Sequence, residues 1–134
     1  MSRITILDTA KVTLWYHPEE KIVHHRIHKF IYGEEFYHLL LTGTDLIKKH
    51  GARKWLSEIG NEVLLRPEDL EWGKANWFPQ TIAAGWKYWG IVQPKAVFVQ
   101  LDLDPLVKQY AEAGINVKFF IDEDKAWEWL VSQE

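Results

Sequence analysis

The chain has 134 residues, 47% apolar and 26% charged, which is one domain's worth of ordinary globular sequence rather than a disordered or fibrous one. Cysteine is absent, which excludes disulfides, thiolate nucleophiles, Cys-ligated zinc and iron–sulfur clusters, and fits a reducing, cytoplasmic location. The net charge of −3 divides unevenly: nine Lys/Arg against six Asp/Glu over residues 1–54, and seven against thirteen beyond, with no basic stripe for nucleic acid. Met1-Ser2-Arg3-Ile4-Thr5 lacks the apolar core of a signal peptide, and no apolar run approaches the roughly 18 residues of a membrane span.

Val12, Leu14 and Tyr16 alternate with Lys11, Thr13 and His17, which predicts a strand. His17-Pro18-Glu19-Glu20-Lys21 is a polar turn, and residues 22–31 read as a second strand, completing a hairpin. Gly33-Glu34-Glu35 opens a helix with acid in its first turn, where the dipole favours it. Phe36, Leu39, Leu40, Gly43, Leu46 and Ile47 fall on one face, with Gly43 allowing close approach to the sheet, and Lys48-Lys49-His50-Gly51 is the stop. Residues 53–58 suit a short buried strand.

Arg66-Pro67-Glu68-Asp69 begins a second helix with Leu70, Trp77, Phe78 and Ile82 as its buried stripe. Pro79 must kink or split it, because proline lacks the N–H and crowds the carbonyl four residues back. Residues 86–92 are a strand, and residues 95–101 fit a strand or an early helical turn. Asp104-Pro105 starts a helix through Ala113, residues 115–121 are a strand, and Asp122-Glu123-Asp124 begins a last helix that buries Ala126, Trp127 and Leu130. The order is ββαβαβαβα. A hairpin followed by alternating helices and strands implies an α/β fold with a mixed, mostly parallel sheet in a single domain.

Eight tryptophans and six histidines, all six between His17 and His50, are the unusual features. On the second strand Ile22, His24, Arg26, His28 and Phe30 share one face, and Val23, His25, Ile27 and Lys29 the other. His24 and His28 would then stand about 13 Å apart at ~3.3 Å per residue, too far to hold one metal unless His17 or His38 arrives from elsewhere; no metal or other cofactor is expected. The plain reading is a half-solvated face; the sharper one is a ligand-binding or acid–base role for His24, His25 or His28, with Glu34 or Glu58. Trp55, Trp77, Trp127 and Trp86 or Trp89 sit at core-facing spacing. Trp15, Trp72 and Trp129 fall off those stripes and are candidates for partial exposure at an interface or pocket.

Ligands of open α/β sheets bind beyond the carboxyl ends of the strands. Those ends carry Tyr32 and Glu34, then Ser57, Glu58 and Asn61, then Gln93 and Lys95, then Asp122. Ordinary loop and capping chemistry is the alternative there, with Asp122 or Asp124 as N-cap. Nucleophile-elbow, dinucleotide and P-loop motifs are all missing.

Val12-Thr13-Leu14-Trp15-Tyr16-His17-Pro18, Ile22-Val23-His24-His25 with Lys29-Phe30, Trp77-Phe78-Pro79, Ala83-Ala84-Gly85-Trp86-Lys87-Tyr88-Trp89 and Ala126-Trp127-Glu128-Trp129-Leu130 carry a resemblance over most of the chain. With this order of elements, the chain resembles small bacterial STAS/SpoIIAA-like proteins. The resemblance implies a SpoIIAA-like fold and a non-catalytic role through protein contact, as a homodimer or with another protein, or through a small, even lipidic, ligand. The antagonist branch of that fold carries a phosphorylatable serine in an Asp-Ser-Ser/Thr-Gly motif. Leu56-Ser57-Glu58-Ile59 stands at the comparable place without the Asp, the second hydroxyl or the Gly, and Glu58 and Glu62 would repel a phosphate.

Overall fold

Among the described residues six strands pair in chain order: β1 (Ile4–Asp8), β2 (Val12–His17), β3 (Ile22–Ile27), β4 (Lys54–Ile59), β5 (Tyr88–Val92) and β6 (Asn116–Phe120). The structure, a computed structural model, describes residues 3–60, 65–96 and 103–134. β1, β2 and β3 are antiparallel neighbours, and β3 through β6 are parallel. The fold is thus the expected α/β arrangement, a mixed sheet that starts as a hairpin. β1 is an addition at its edge. A bulge between Thr5 and Leu7 breaks the alternation that would have marked it.

β3 is shorter than the pattern suggests. It stops at Ile27, opposite Val12 at the start of β2 and Ile59 at the end of β4. Beyond that point the regular ladder ends, and the His28 and Lys29 N–H groups both donate to the Lys11 carbonyl, at 2.7 and 3.4 Å. Phe30 is exposed, whereas the His28 ring stays on the Thr13 side of the sheet, the face that also carries His24. No helix is long and apolar enough to cross a membrane among the described residues.

Helix α1 (Gly33–His50) joins β3 to β4 and buries Phe36, Leu39, Leu40, Gly43, Leu46 and Ile47, the face its spacing predicts. Gly51, at φ 63°, ends it by donating its N–H to the Ile47 carbonyl. A Cβ on Gly43 would lie 2.1 Å from Cη2 of Trp55, so the glycine lets the indole of β4 lie directly against the helix backbone.

Between β4 and β5 run α2 (Pro67–Trp72), a π turn (Gly73–Trp77) and α3 (Phe78–Ala83). The expected effect of Pro79 takes this form: in the widened turn before it, the Phe78 N–H reaches back to the Gly73 carbonyl. The inward position of α2 belongs to Asp69, whereas Leu70, expected in the buried stripe, is 48% exposed. Helices α4 (Asp104–Glu112) and α5 (Glu123–Ser132) flank β6. Asp122 caps α5, accepting from the Asp124 N–H at 2.8 Å.

Each strand feeds two layers. Val12, Leu14, Tyr16, Val23, Ile27, Trp55, Ile91 and Val117 join the α1 side in the main core, together with Trp77 and Trp86. On the opposite side Ile22 and Leu56 meet Ala126 and Leu130 of α5. This second layer explains a correction. Trp15, expected to be partly exposed, is 5% exposed because its face of the sheet is also covered. The His24 ring lies 4.6 Å from Trp15, and the Arg3 and Arg26 guanidiniums lie 4.3 and 5.0 Å from the indole.

Candidate functional site

Parallel pairing in register places His25, Ser57, Ile91 and Phe119 side by side across β3, β4, β5 and β6, near the carboxyl ends of the strands. This row floors a cavity of about 380 Å³. Phe36 and Leu40 of α1, Trp77 and Phe78 of the π turn and α3, and Tyr110 of α4 close over it. A volume of this size is in the range that holds small organic ligands, and its position is the one open α/β sheets use.

His25 is 3% exposed. The Trp55 indole N–H donates to its Nδ1 at 3.0 Å, and an indole nitrogen can only donate, so Nδ1 carries no hydrogen. Burial first, then the neighbouring His24, lowers the pKa of His25 to about 3, with Glu58 acting the other way. The ring is therefore neutral near pH 7, with its hydrogen on Nε2, and the Gly43–Trp55–His25 stack fixes that tautomer from the helix backbone inward. Ser57, 1% exposed, accepts from the Trp89 indole N–H at 2.9 Å, which leaves its hydroxyl hydrogen free to donate.

Two buried polar atoms of residues in the cavity wall, Trp77 Nε1 and Gln93 Oε1, have no hydrogen-bond partner among the described residues. Gln93 is held at the end of β5 by its backbone N–H donating to the Phe120 carbonyl at 2.9 Å. Native proteins rarely leave such groups unpaired, and the exceptions call for an explanation. Asp69, also on the cavity wall, is the contrasting case. It is fully buried yet accepts from Arg66 at 3.0 and 3.1 Å, from the Tyr37 hydroxyl at 2.7 Å and from the Gly33 N–H. The Arg66 guanidinium leads the interactions that hold its carboxyl below the usual range.

A second cluster occupies the α5 side of the sheet. His24 Nε2 donates to Glu58 at 2.5 Å, and His24 Nδ1 lies 3.1 Å from His17 Nε2. Arg26 bonds Glu58 at 3.1 Å and Glu123 of α5 at 3.3 Å. Burial pushes the Glu58 carboxyl up, but the bonds from His24 and Arg26 outweigh it and the net shift is downward. Burial and the Glu58 charge raise the Glu123 carboxyl, and burial with His24 and Arg3 lowers His17 to about 4. Ligand atoms of His24, Glu58 and Glu123 lie within 4.8 Å of one another. Arg26 already supplies the positive charge these carboxylates need, so the group is a clamp fastening the first turn of α5 to β3 and β4.

The structure therefore separates the residues that the sequence grouped. His25, Ser57 and Gln93 line the cavity, His24 and Glu58 belong to the clamp, and His28 bonds Thr13 at 2.7 Å. Tyr32 is half-exposed beside Phe30, with Arg66 over its ring, and is not part of the cavity wall. Trp72 stacks on Tyr37 at 4.0 Å, and Trp129 sits between Tyr88 and Phe120, both indoles half-buried. Asn61, and residues 97–101 of the ambiguous stretch, lie outside the described residues. Sequence reasoning missed Trp77 as a polar group, because its spacing marks it only as core. It also missed Glu123, because an acid in a first helical turn reads as a dipole partner. No protein-family model, curated protein or solved structure matches this chain.

Proposed function

We propose that this chain is a non-catalytic domain that holds one small apolar molecule in the cavity over β3–β6. The observation that carries this reading is a cavity of about 380 Å³ at the carboxyl ends of the parallel strands, walled by Phe36, Trp77, Phe78, Trp89, Tyr110 and Phe119. The grouping with STAS/SpoIIAA-like proteins rests on the element order and the residues that carry the resemblance, and a small-ligand role agrees with it.

The rival reading, an enzyme or a metal- or pH-responsive binder built on His24, His25 and His28, loses support because His25 lines the cavity on one face of the sheet, while on the other His24 is bonded to Glu58 and His28 to Thr13. A phosphorylation switch finds little support at Ser57, which is 1% exposed in an interior strand and already bonded to Trp89.

Titration with the neutral fluorophore N-phenyl-1-naphthylamine tests the reading. We expect saturable binding of one molecule per chain, lost in Ile59→Trp, which fills the cavity from its wall, while the unfolding temperature is kept. Binding that is absent, or unchanged in a folded Ile59→Trp variant, would overturn it.

A further inference from the structure

We propose that His24, Glu58 and Glu123 form a site for one divalent ion of the zinc type, taken up in exchange for the Arg26 guanidinium. The site lies on the α5 face of the sheet, away from the cavity, and does not depend on the cavity holding a ligand. The first observation is the donor set. A nitrogen of His24 from β3, an oxygen of Glu58 from β4 and an oxygen of Glu123 from the first turn of α5 all lie within 4.8 Å of one another. Ligands roughly 2.1 Å from one zinc ion stand about 3–4 Å apart, and His24 Nε2 is 3.9 Å from Glu123. His24 Nε2 and Glu58 are closer, at 2.5 Å, because a proton lies between them. An ion that replaces this proton spreads them. One imidazole nitrogen with two carboxylate oxygens suits zinc and its neighbours better than magnesium or calcium, which prefer oxygen alone.

The second observation is how His24 is held. A histidine that ligates a metal is normally fixed through its other ring nitrogen. His24 Nδ1 lies 3.1 Å from Nε2 of His17. His17 thus does arrive beside His24, as a positioning residue rather than a ligand. The His24 ring is 2% exposed, stacks on His17 with centres 5.3 Å apart and lies 4.6 Å from Trp15. It is therefore set with Nε2 toward the carboxylates before any ion arrives.

The third observation is the way in. The Arg26 and Glu123 side chains are both partly exposed, so the cluster opens to solvent at the first turn of α5. Without an ion, Arg26 balances Glu58 and Glu123 at 3.1 and 3.3 Å. Its guanidinium also lies 5.0 Å from the Trp15 ring, so the indole face and water can receive it when it leaves the carboxylates. The charges close: the proton between His24 and Glu58 goes to solvent, Arg26 swings out, and two carboxylates meet a dication. The ion then joins β3, β4 and α5 in place of the Arg26 bonds.

The test titrates Co2+, which zinc sites accept and which absorbs visible light, into the untagged full chain. We expect one Co2+ per chain, displaced by Zn2+ and not by the same concentration of Mg2+. Arg26→Met removes the competing cation and should tighten binding roughly tenfold. Glu123→Gln removes a ligand from the surface turn and should weaken it by about tenfold or more, and His17→Phe, which keeps a ring against His24, should weaken it roughly tenfold. Unfolding temperatures measured without metal separate these effects from loss of the fold. Zn2+ should also slow amide exchange in α5 more than in α1. No binding to the parent or to Arg26→Met, binding as tight in a folded Glu123→Gln as in the parent, Mg2+ competing as well as Zn2+, or weaker binding in Arg26→Met would each overturn the site.

Discussion

Replacing Gly43 by alanine sets two effects against each other. In an exposed helix interior the change gains about 1 kcal/mol, because alanine loses less backbone freedom. At this position the new methyl would lie 2.1 Å from Trp55 Cη2 and 2.8 Å from Cζ2 and Cζ3. Carbon atoms rest at about 3.5–4.0 Å, so the indole must retreat by roughly 1.5 Å. It has nowhere to go. Trp55 is fully buried, is flanked by Trp77 and Trp86 with ring centres 5.1 and 5.7 Å away, and is tied through its N–H to His25. Overpacking costs about 1–3 kcal/mol, and breaking the Trp55–His25 bond in the interior adds about 1–3. The clash wins, and Gly43→Ala should lose roughly 1–5 kcal/mol in urea unfolding at pH 7. In a Trp55→Phe background, where the outer indole ring is gone, the same substitution should become nearly neutral. A Gly43→Ala protein as stable as the parent or more so, or an equal loss in both backgrounds, would refute the packing argument.

Other outcomes follow from the two buried clusters. The folded pKa of His25 is depressed to about 3 from an ordinary 6.5, so below pH 6.5 the unfolded chain takes up a proton that the folded chain refuses. Stability present above pH 6.5 should fall by about 2 kcal/mol on reaching pH 5 from this residue alone. His17 adds to the loss in the same direction, between 6.5 and about 4. Urea midpoints at pH 7 and pH 5 should show that His25→Gln has a smaller acid loss than the parent; an identical loss would count against a neutral His25. Glu58→Gln leaves Arg26 and His24 without their shared acceptor charge. It should cost roughly 2–4 kcal/mol and speed amide exchange in α5 more than in α1; equal effects on both helices would mean that the clamp is not what holds α5.

How far the sequence reveals the molecule depends on the range of the interaction involved. The buried face of α1, with Gly43 at its centre, and the Asp122 cap are local periodicity and capping, and both are readable from spacing. That His24 and His25 face opposite layers follows from the period of two. Where β3 ends is not local: Ile27 is its last residue because Val12 and Ile59 are its last partners. Trp15 reads as exposed only if the sheet has one covered face, and the second layer built by α5 cannot be inferred from β2 itself. Ser57 and Gln93 were identifiable at strand ends. The orientation of the Trp77 indole was not, because it depends on a π turn that widens the helix ahead of Pro79. Asp69 likewise depends on Tyr37 and Gly33, which reach it from another part of the chain.

The central claim, that a small molecule occupies the cavity over β3–β6, is tested most directly by following the tryptophan indole N–H signals by NMR during titration with N-phenyl-1-naphthylamine. Trp77 and Trp89 line the cavity, whereas Trp15 and Trp129 lie on the α5 side of the sheet. The account predicts saturable shifts of the Trp77 and Trp89 signals with Trp15 and Trp129 unmoved. Shifts confined to Trp15 and Trp129, or no saturable shift at Trp77, would contradict it.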